Sequence, residues 1–413
     1  MQGNTDGHPG LAAPAESRTP RLTDAELRDD PHGVLRFHRA RTPLVMLDAG
    51  VCYVLRHADI VKLVKDPRAI GTGTALPKLL GVTEGPLFEA FEHGMLTANG
   101  EVHRRRRSPF TPLLAARALA GLRPVIRRSA ESLVDGWRRQ GRVDFAGDFA
   151  ARLPALVISG LLGLPRKEIP STMRLAQEVT RFLNLAVPPG EIPIAEAATR
   201  QLQTYVEGLI LERRRSPRED FLSGFIAAAD EAKELSPMEM VIQLIQIIVA
   251  GTDTTRVASI MTTGVLLQHR DQWQEVCRDP GLVPMAVEEG LRFEPSVATF
   301  SRLAAEDIEL GGGAVIPGGS FISLSVMSAM RDERVYEDPD TFDIRRRDHP
   351  PRHPVFGGGV HRCIGEALAR MELEEGLATL VERYPDLRLL EAPVIEGHSG
   401  IRRADRMVVS CRG

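Results

Sequence analysis

Apolar positions along the chain fall mostly on a helical period, interrupted by a few strand-like runs. The clearest helical signal is SPMEMVIQLIQIIVAGTDTTRVASIMTTGVLLQHRD, in which Val241, Leu244, Ile245 and Ile248 follow the i, i+3, i+4, i+7 spacing of one buried face. Ser236, Pro237 and Glu239 stand ahead of it as N-cap, first-turn proline and capping-box acid. Continued to about His269, this helix is ~50 Å long at ~1.5 Å per residue, enough to cross a whole molecule. A shorter helix is expected in PMAVEEGLRF, Pro284 to Phe293, ending before Pro295. Strand-like pieces lie at Pro43 to Arg56, at Asp307 to Val326 with its turn glycines, and around Arg406 to Cys411. The pattern predicts a mainly α body with a small, segregated β region, of the α+β class.

In the middle of the long helix the apolar stripe gives way to Gly251, Thr252, Asp253, Thr254 and Thr255. Glycine disfavours helix, threonine hydroxyls compete for backbone carbonyls, and an aspartate in a buried helix needs a partner or a purpose. A polar patch turned to solvent is the plain alternative. A site built into the helix middle explains more of the pattern.

Composition narrows the class. The chain has 413 residues, 43% hydrophobic and 26% charged, with a net charge of -3, which suits a globular enzyme and excludes the strongly basic balance of a nucleic-acid binder. No low-complexity segment or fixed-period repeat divides it, so residues 23–413 are expected to form one domain behind a mobile tail at 1–22. The four cysteines are dispersed without paired spacing, which argues against a disulfide framework and for a reducing compartment. No apolar run reaches the ~20 residues of a membrane span, so a cytoplasmic protein without membrane attachment is expected.

One cysteine stands apart. FGGGVHRCIG places Cys363 among Gly357, Gly358, Gly359 and Gly365, directly ahead of the amphipathic run EALARMELEEGLATLVER. Backbone amides and a following helix N-terminus can hold a thiolate's charge, and the glycines admit a planar group without side-chain clash. The pattern F-x-x-G-x-x-x-C-x-G, Phe356 to Gly365, resembles the heme-binding loop of the cytochrome P450 superfamily. Ala250-Gly251-Thr252-Asp253-Thr254 looks like that family's oxygen-binding groove, Glu289-Gly290-Leu291-Arg292 like its E-x-x-R pair, and DPDTFDIRRR like the segment preceding the heme loop. The resemblance covers everything after the tail. It implies the P450 fold, with the long helix crossing over the heme.

What the resemblance implies can be stated residue by residue. Cys363 is the axial thiolate of heme b (iron protoporphyrin IX), bound without covalent attachment because no C-x-x-C-H is present. His103 and Arg107, one helical turn apart in EVHRRRR, together with Arg302 and His361, meet the heme carboxylates. Phe356, Gly359, Gly365, Ala250 and Gly251 line the heme. Glu289 and Arg292 pair with each other and with a downstream arginine that fixes the core beneath the loop. FDIRRRDHPPRHPVF is about two residues longer than the family's usual segment, so Arg346 and Arg347 compete for that third position. TANGEVH lacks the family's acidic-proline lead, which leaves the start of the His103 helix open.

The resemblance also implies that Asp253 relays protons and that Thr254 hydrogen-bonds the oxygen being activated, in a reaction expected to insert one atom of O2 into a small, mostly apolar organic substrate. By family position the pocket draws on Leu183, Leu185, Ile248, Val297 and Phe300, and on the loop around Gly397 to Ile401. The chain has no G-x-G-x-x-G, so electrons are expected from separate proteins, which the resemblance implies are a ferredoxin and a ferredoxin reductase. Arg104 and Arg106, rotated away from the His103 face, and Arg362 are expected to form a cationic rim for that partner. A monomer is expected. A peroxygenase or reductase built on the same heme thiolate, and a non-enzymatic heme sensor, are the alternative classes; the acid-alcohol pair favours the monooxygenase.

Overall fold

The computed structural model describes residues 19–183, 187–351 and 353–411. Ser236 caps the helix Pro237–Ala250 by accepting from the Glu239 N–H, and the Glu239 carboxylate answers at the Ser236 N–H, so the capping box forms as expected. The central helix is not continuous. It stops at Ala250 and resumes at Asp253–Gln268, with Gly251 and Thr252 in a turn between. The cause is local: the Thr252 hydroxyl donates to the carbonyls of Ile248 and Val249, and Thr252 itself takes φ -112°, off the helical value. Gly251 is packed so closely that a Cβ there would come within 2.5 Å of the Ile158 side chain. The break therefore sits where the apolar stripe fails.

Around this broken helix the main core gathers Leu244, Ile245, Ile248, Val257, Ile260 and Met261 with aromatic residues such as Phe145, Phe149 and Trp273. The helix Val283–Phe293 packs across Asp253–Gln268 at Gly290, where a Cβ would strike Thr262. The helix Glu366–Arg383 completes this layer beneath it.

The β region is segregated. Its largest sheet has six strands in the order Arg21–Leu22, Leu44–Leu47, Cys52–Val54, Phe321–Ser325, Thr299–Ala304 and Ala69–Ile70. Thr299–Ala304 runs antiparallel to Phe321–Ser325 with Phe300 opposite Leu324, while Cys52 and Ile322 pair in parallel. Arg21 and Leu22 pair with Met46 and Leu47, so strand pairing reaches into the stretch given to the tail at 1–22. Residues 1–18 lie outside the described chain. A smaller three-stranded sheet joins Arg388–Glu391, Val408–Ser410 and Arg142–Asp144. No helix among the described residues is long and apolar enough to cross a membrane.

Candidate functional site

The cysteine loop is bent tightly enough to exclude side chains at one point. Gly359 has φ +60°, and a Cβ there would lie 2.1 Å from the Val64 carbonyl oxygen, so only glycine fits. Within the loop the Cys363 N–H donates to the Phe356 carbonyl at 2.8 Å, and the Gly365 amide approaches the sulfur. The Cys363 side chain is accessible although protein surrounds it closely, which is the signature of a sulfur facing an internal cleft. Burial pushes its thiol above the ordinary value and the Gly365 amide pulls it back. A cationic or metallic partner is what would keep such a sulfur as thiolate.

Four cationic or imidazole groups converge beside it. The rings of His103 and His361 lie 4.3 Å apart, Arg107 donates to the Arg362 carbonyl at 2.7 Å, and Arg302 is buried with its one hydrogen bond going to the Ser301 carbonyl. Among the described residues none of these four meets a carboxylate. Burial lowers Arg302 to about 10, and burial followed by repulsion from Arg302, His103 and Arg107 lowers His361 to about 3. Such a cluster is costly unless an anion enters it. A planar group carrying two carboxylates and a metal at its centre satisfies both halves of the site, so the residues present fit a heme.

Beneath the loop, Glu289 and Arg292 have no exposed side-chain surface and pair at 2.7 and 2.8 Å. Arg292 also donates to the carbonyls of Met330, Pro339 and Thr341. The third position goes to Arg346, whose Nε lies 3.3 Å from Glu289 and whose other nitrogens hold the carbonyls of Glu337, Asp338 and Thr341. Arg347 points to solvent.

On the central helix, Ala250 is exposed and Thr254 half-buried, although Ile247, Ile248, Val249, Thr252 and Asp253 around them are buried. The accessible stripe faces a cleft. The Thr254 hydroxyl donates to the Ala250 carbonyl at 2.8 Å, and Asp253 accepts from Arg256 at 2.7 Å. Arg256 is held in turn by the Ala404 carbonyl and by Asp405. This arginine carries no signal in the sequence beyond its i+3 spacing from the aspartate.

Other expectations meet the structure less well. Ile248 has no exposed surface and belongs to the core, because it stands on the face of the helix opposite the accessible stripe. Phe300 lies against Gly357 in the cysteine loop, and Val297 bridges to Ile401. Leu183 falls in the short turn Arg181–Leu183, and Leu185 lies outside the described residues. The rim at Arg104 and Arg106 does not exist. Arg106 is buried and bound to Glu239 and to the carbonyls of Glu92 and Gly94, while Arg104 is neutralised by Glu101 and Glu234. Arg362 pairs with Glu366. Among the described residues Lys65 is an exposed cation whose backbone lies beside Gly359, next to the tip residue Val360, which is 69% exposed, and Lys62, three residues before it, is exposed too.

Comparison with known proteins agrees with this geometry. The family model described as Cytochrome P450 matches residues 187–385. A plant-inducible cytochrome P450, pinF1, from Rhizobium radiobacter is 42% identical over 386 residues, covering 93% of this chain and 91% of its own. Luteothin monooxygenase from Streptomyces thioluteus is 35% identical over 363 residues, covering 87% of this chain and 84% of its own. Among solved structures, that of CalO2 superimposes with a TM-score of 0.87 at 29% identity, over 94% of this chain and 97% of the other.

Proposed function

The chain belongs to the cytochrome P450 superfamily and is a heme-dependent monooxygenase, and on that premise we propose that Cys363 is its axial thiolate and that Asp253 and Thr254 serve proton delivery. One observation carries the assignment: the accessible Cys363 sulfur lies beside four cationic or imidazole groups that lack carboxylate partners. When bound, heme supplies O2 activation and the insertion of one oxygen atom. The protein's share is position and protons. His103, Arg107, Arg302 and His361 take the two carboxylates, and the Phe356–Gly365 loop holds the sulfur.

Thr254 donates its hydroxyl proton to the Ala250 carbonyl in the resting arrangement, so it must rotate to donate into the cleft. Asp253 is similarly engaged by Arg256 and moves a proton only when that pair opens toward water. The carboxylate thus works as a gated relay. The substrate is a small, mostly apolar organic molecule contacted by Phe300 and Val297.

Electrons arrive from a separate ferredoxin and its reductase. An acidic partner meets Lys62 and Lys65 beside Val360, over the short path through the cysteine loop, where Coulomb attraction raises its association rate. The test is the reduced carbon monoxide complex of the purified protein, which should show the strongly red-shifted absorption of a thiolate ligand. Cys363→His should abolish that band while heme remains bound.

A further inference from the structure

Asp253 can move a proton only after Arg256 lets go of it, and that release leaves a charge behind. The side chains of both are 11% exposed, and Nε of Arg256 lies 2.7 Å from Asp253 Oδ1. An arginine left without a counter-ion at that depth would hold the open state back by roughly 10²- to 10³-fold. Opening during turnover therefore calls for a second carboxylate within reach of the same side chain.

One is in place at the far end of the guanidinium. Nη1 donates to the Ala404 carbonyl at 2.9 Å and stands 3.5 Å from Asp405 Oδ1. The Asp405 side chain is 78% exposed, and among the described residues it pairs with no other cation. Its flanking arginines are engaged elsewhere, Arg403 with Glu191 and Arg406 with Glu391. The support is firm. Ala404 is fully buried and pairs with Ile395, and Gly264 of the helix Asp253–Gln268 is packed so closely against Pro393 and Met407 that a Cβ there would come within 3.2 Å of the Met407 sulfur. The Ala404 carbonyl can thus keep its hydrogen bond while the guanidinium turns from one carboxylate to the other.

Resting on the proton-delivery reading above, we propose that Asp405 is a positioning residue for the reaction: it takes over Arg256 and so releases Asp253. Arg256 stays protonated throughout. As the guanidinium turns outward, water enters beside Asp253. The freed carboxylate accepts a proton from that water and passes one to the Thr254 hydroxyl, which hands its own into the cleft, so Asp253 is again an anion when Arg256 returns. Bulk solvent replaces the water's proton, and it reaches this end of the helix at Asp405.

If Asp405 only steadied Arg256 where it stands, removing it would loosen the Asp253 pair; as an alternative partner, its removal tightens that pair. The experiment follows the Arg256 Nε–H by nitrogen NMR in the reduced carbon monoxide complex of the heme-loaded protein, which is diamagnetic, with the signal identified by its loss in Arg256→Lys. Exchange of this proton with water reports opening of the pair. Asp405→Asn, an exposed and nearly isosteric change, should slow the exchange by roughly 1.5- to 5-fold, the range of an exposed ion pair, and Asp405→Glu should restore it. Oxygen consumption at saturating reduced ferredoxin, compared in H2O and D2O, should slow by a similar factor in Asp405→Asn with a larger solvent isotope effect, and Asp405→Asn should add nothing to Asp253→Asn. Exchange that is unchanged or faster in Asp405→Asn, or an added loss in the double variant, overturns the proposal. Parental oxygen consumption in Asp253→Asn would tell instead against the proton-delivery reading on which it rests.

Discussion

Replacing Arg346 by methionine tests how the E-x-x-R pair is completed. The guanidinium is 6% exposed and donates to three backbone carbonyls, Glu337, Asp338 and Thr341, as well as to Glu289. Glu289 keeps Arg292 and the Asp343 N–H, so no carboxylate is left bare. The Thr341 carbonyl likewise keeps Arg292. The Asp338 carbonyl keeps the Thr341 N–H, so the loss is one carbonyl without a partner, that of Glu337, and two ionic contacts, with Glu289 and with Asp348, at about 1 kcal/mol each, giving about 3 kcal/mol. His349, 3.4 Å from Glu289, cannot take over at neutral pH because burial lowers it to about 4. Arg347→Met removes an exposed side chain and should change stability by less than about 0.5 kcal/mol. Urea unfolding of the heme-loaded proteins, followed by far-ultraviolet circular dichroism and by the heme absorption, should move the Arg346 midpoint down by about 1 M if the slope is about 3 kcal/mol per M. Equal midpoints for the two variants would refute the assignment of Arg346 to this network.

Two further outcomes follow from the site. Thr254→Ala should consume reductant at near the parental rate but release more of it as hydrogen peroxide, while Asp253→Asn should slow turnover several-fold; parental rates and product yields in both would remove them from proton delivery. Lys62→Glu with Lys65→Glu should slow reduction by an acidic ferredoxin at low ionic strength and leave peroxide-supported turnover unchanged, and insensitivity to both the substitutions and salt would move the docking surface.

Local signals in the sequence translated into structure where short-range physics decides. The Ser236 capping box, the strands within Pro43 to Arg56 and Asp307 to Val326, and the helix ending at Phe293 all form because cap chemistry and apolar period are local. The helix break was half visible: the polar run was plain, but the turn at Gly251–Thr252 depends on the Thr252 hydroxyl reaching back to Ile248. What escaped is long-range. Arg106 turns from an expected surface cation into a buried one because Glu239, 133 positions away, sits opposite it. Asp253 meets Arg256 in a position fixed by Ala404, and Gln246 finds Met95 and Leu96 across the molecule. Helical rotation alone places a side chain on a face; only packing says what that face meets.

The assignment of Cys363 is tested most directly by X-ray absorption at the iron of the heme-loaded protein. One sulfur scatterer bonded to iron is expected in the parent and in Cys277→Ser, which removes the free, partly buried cysteine of the helix Arg270–Arg278, and none in Cys363→His. A sulfur signal that persists in Cys363→His, or one that disappears in Cys277→Ser, would contradict the account.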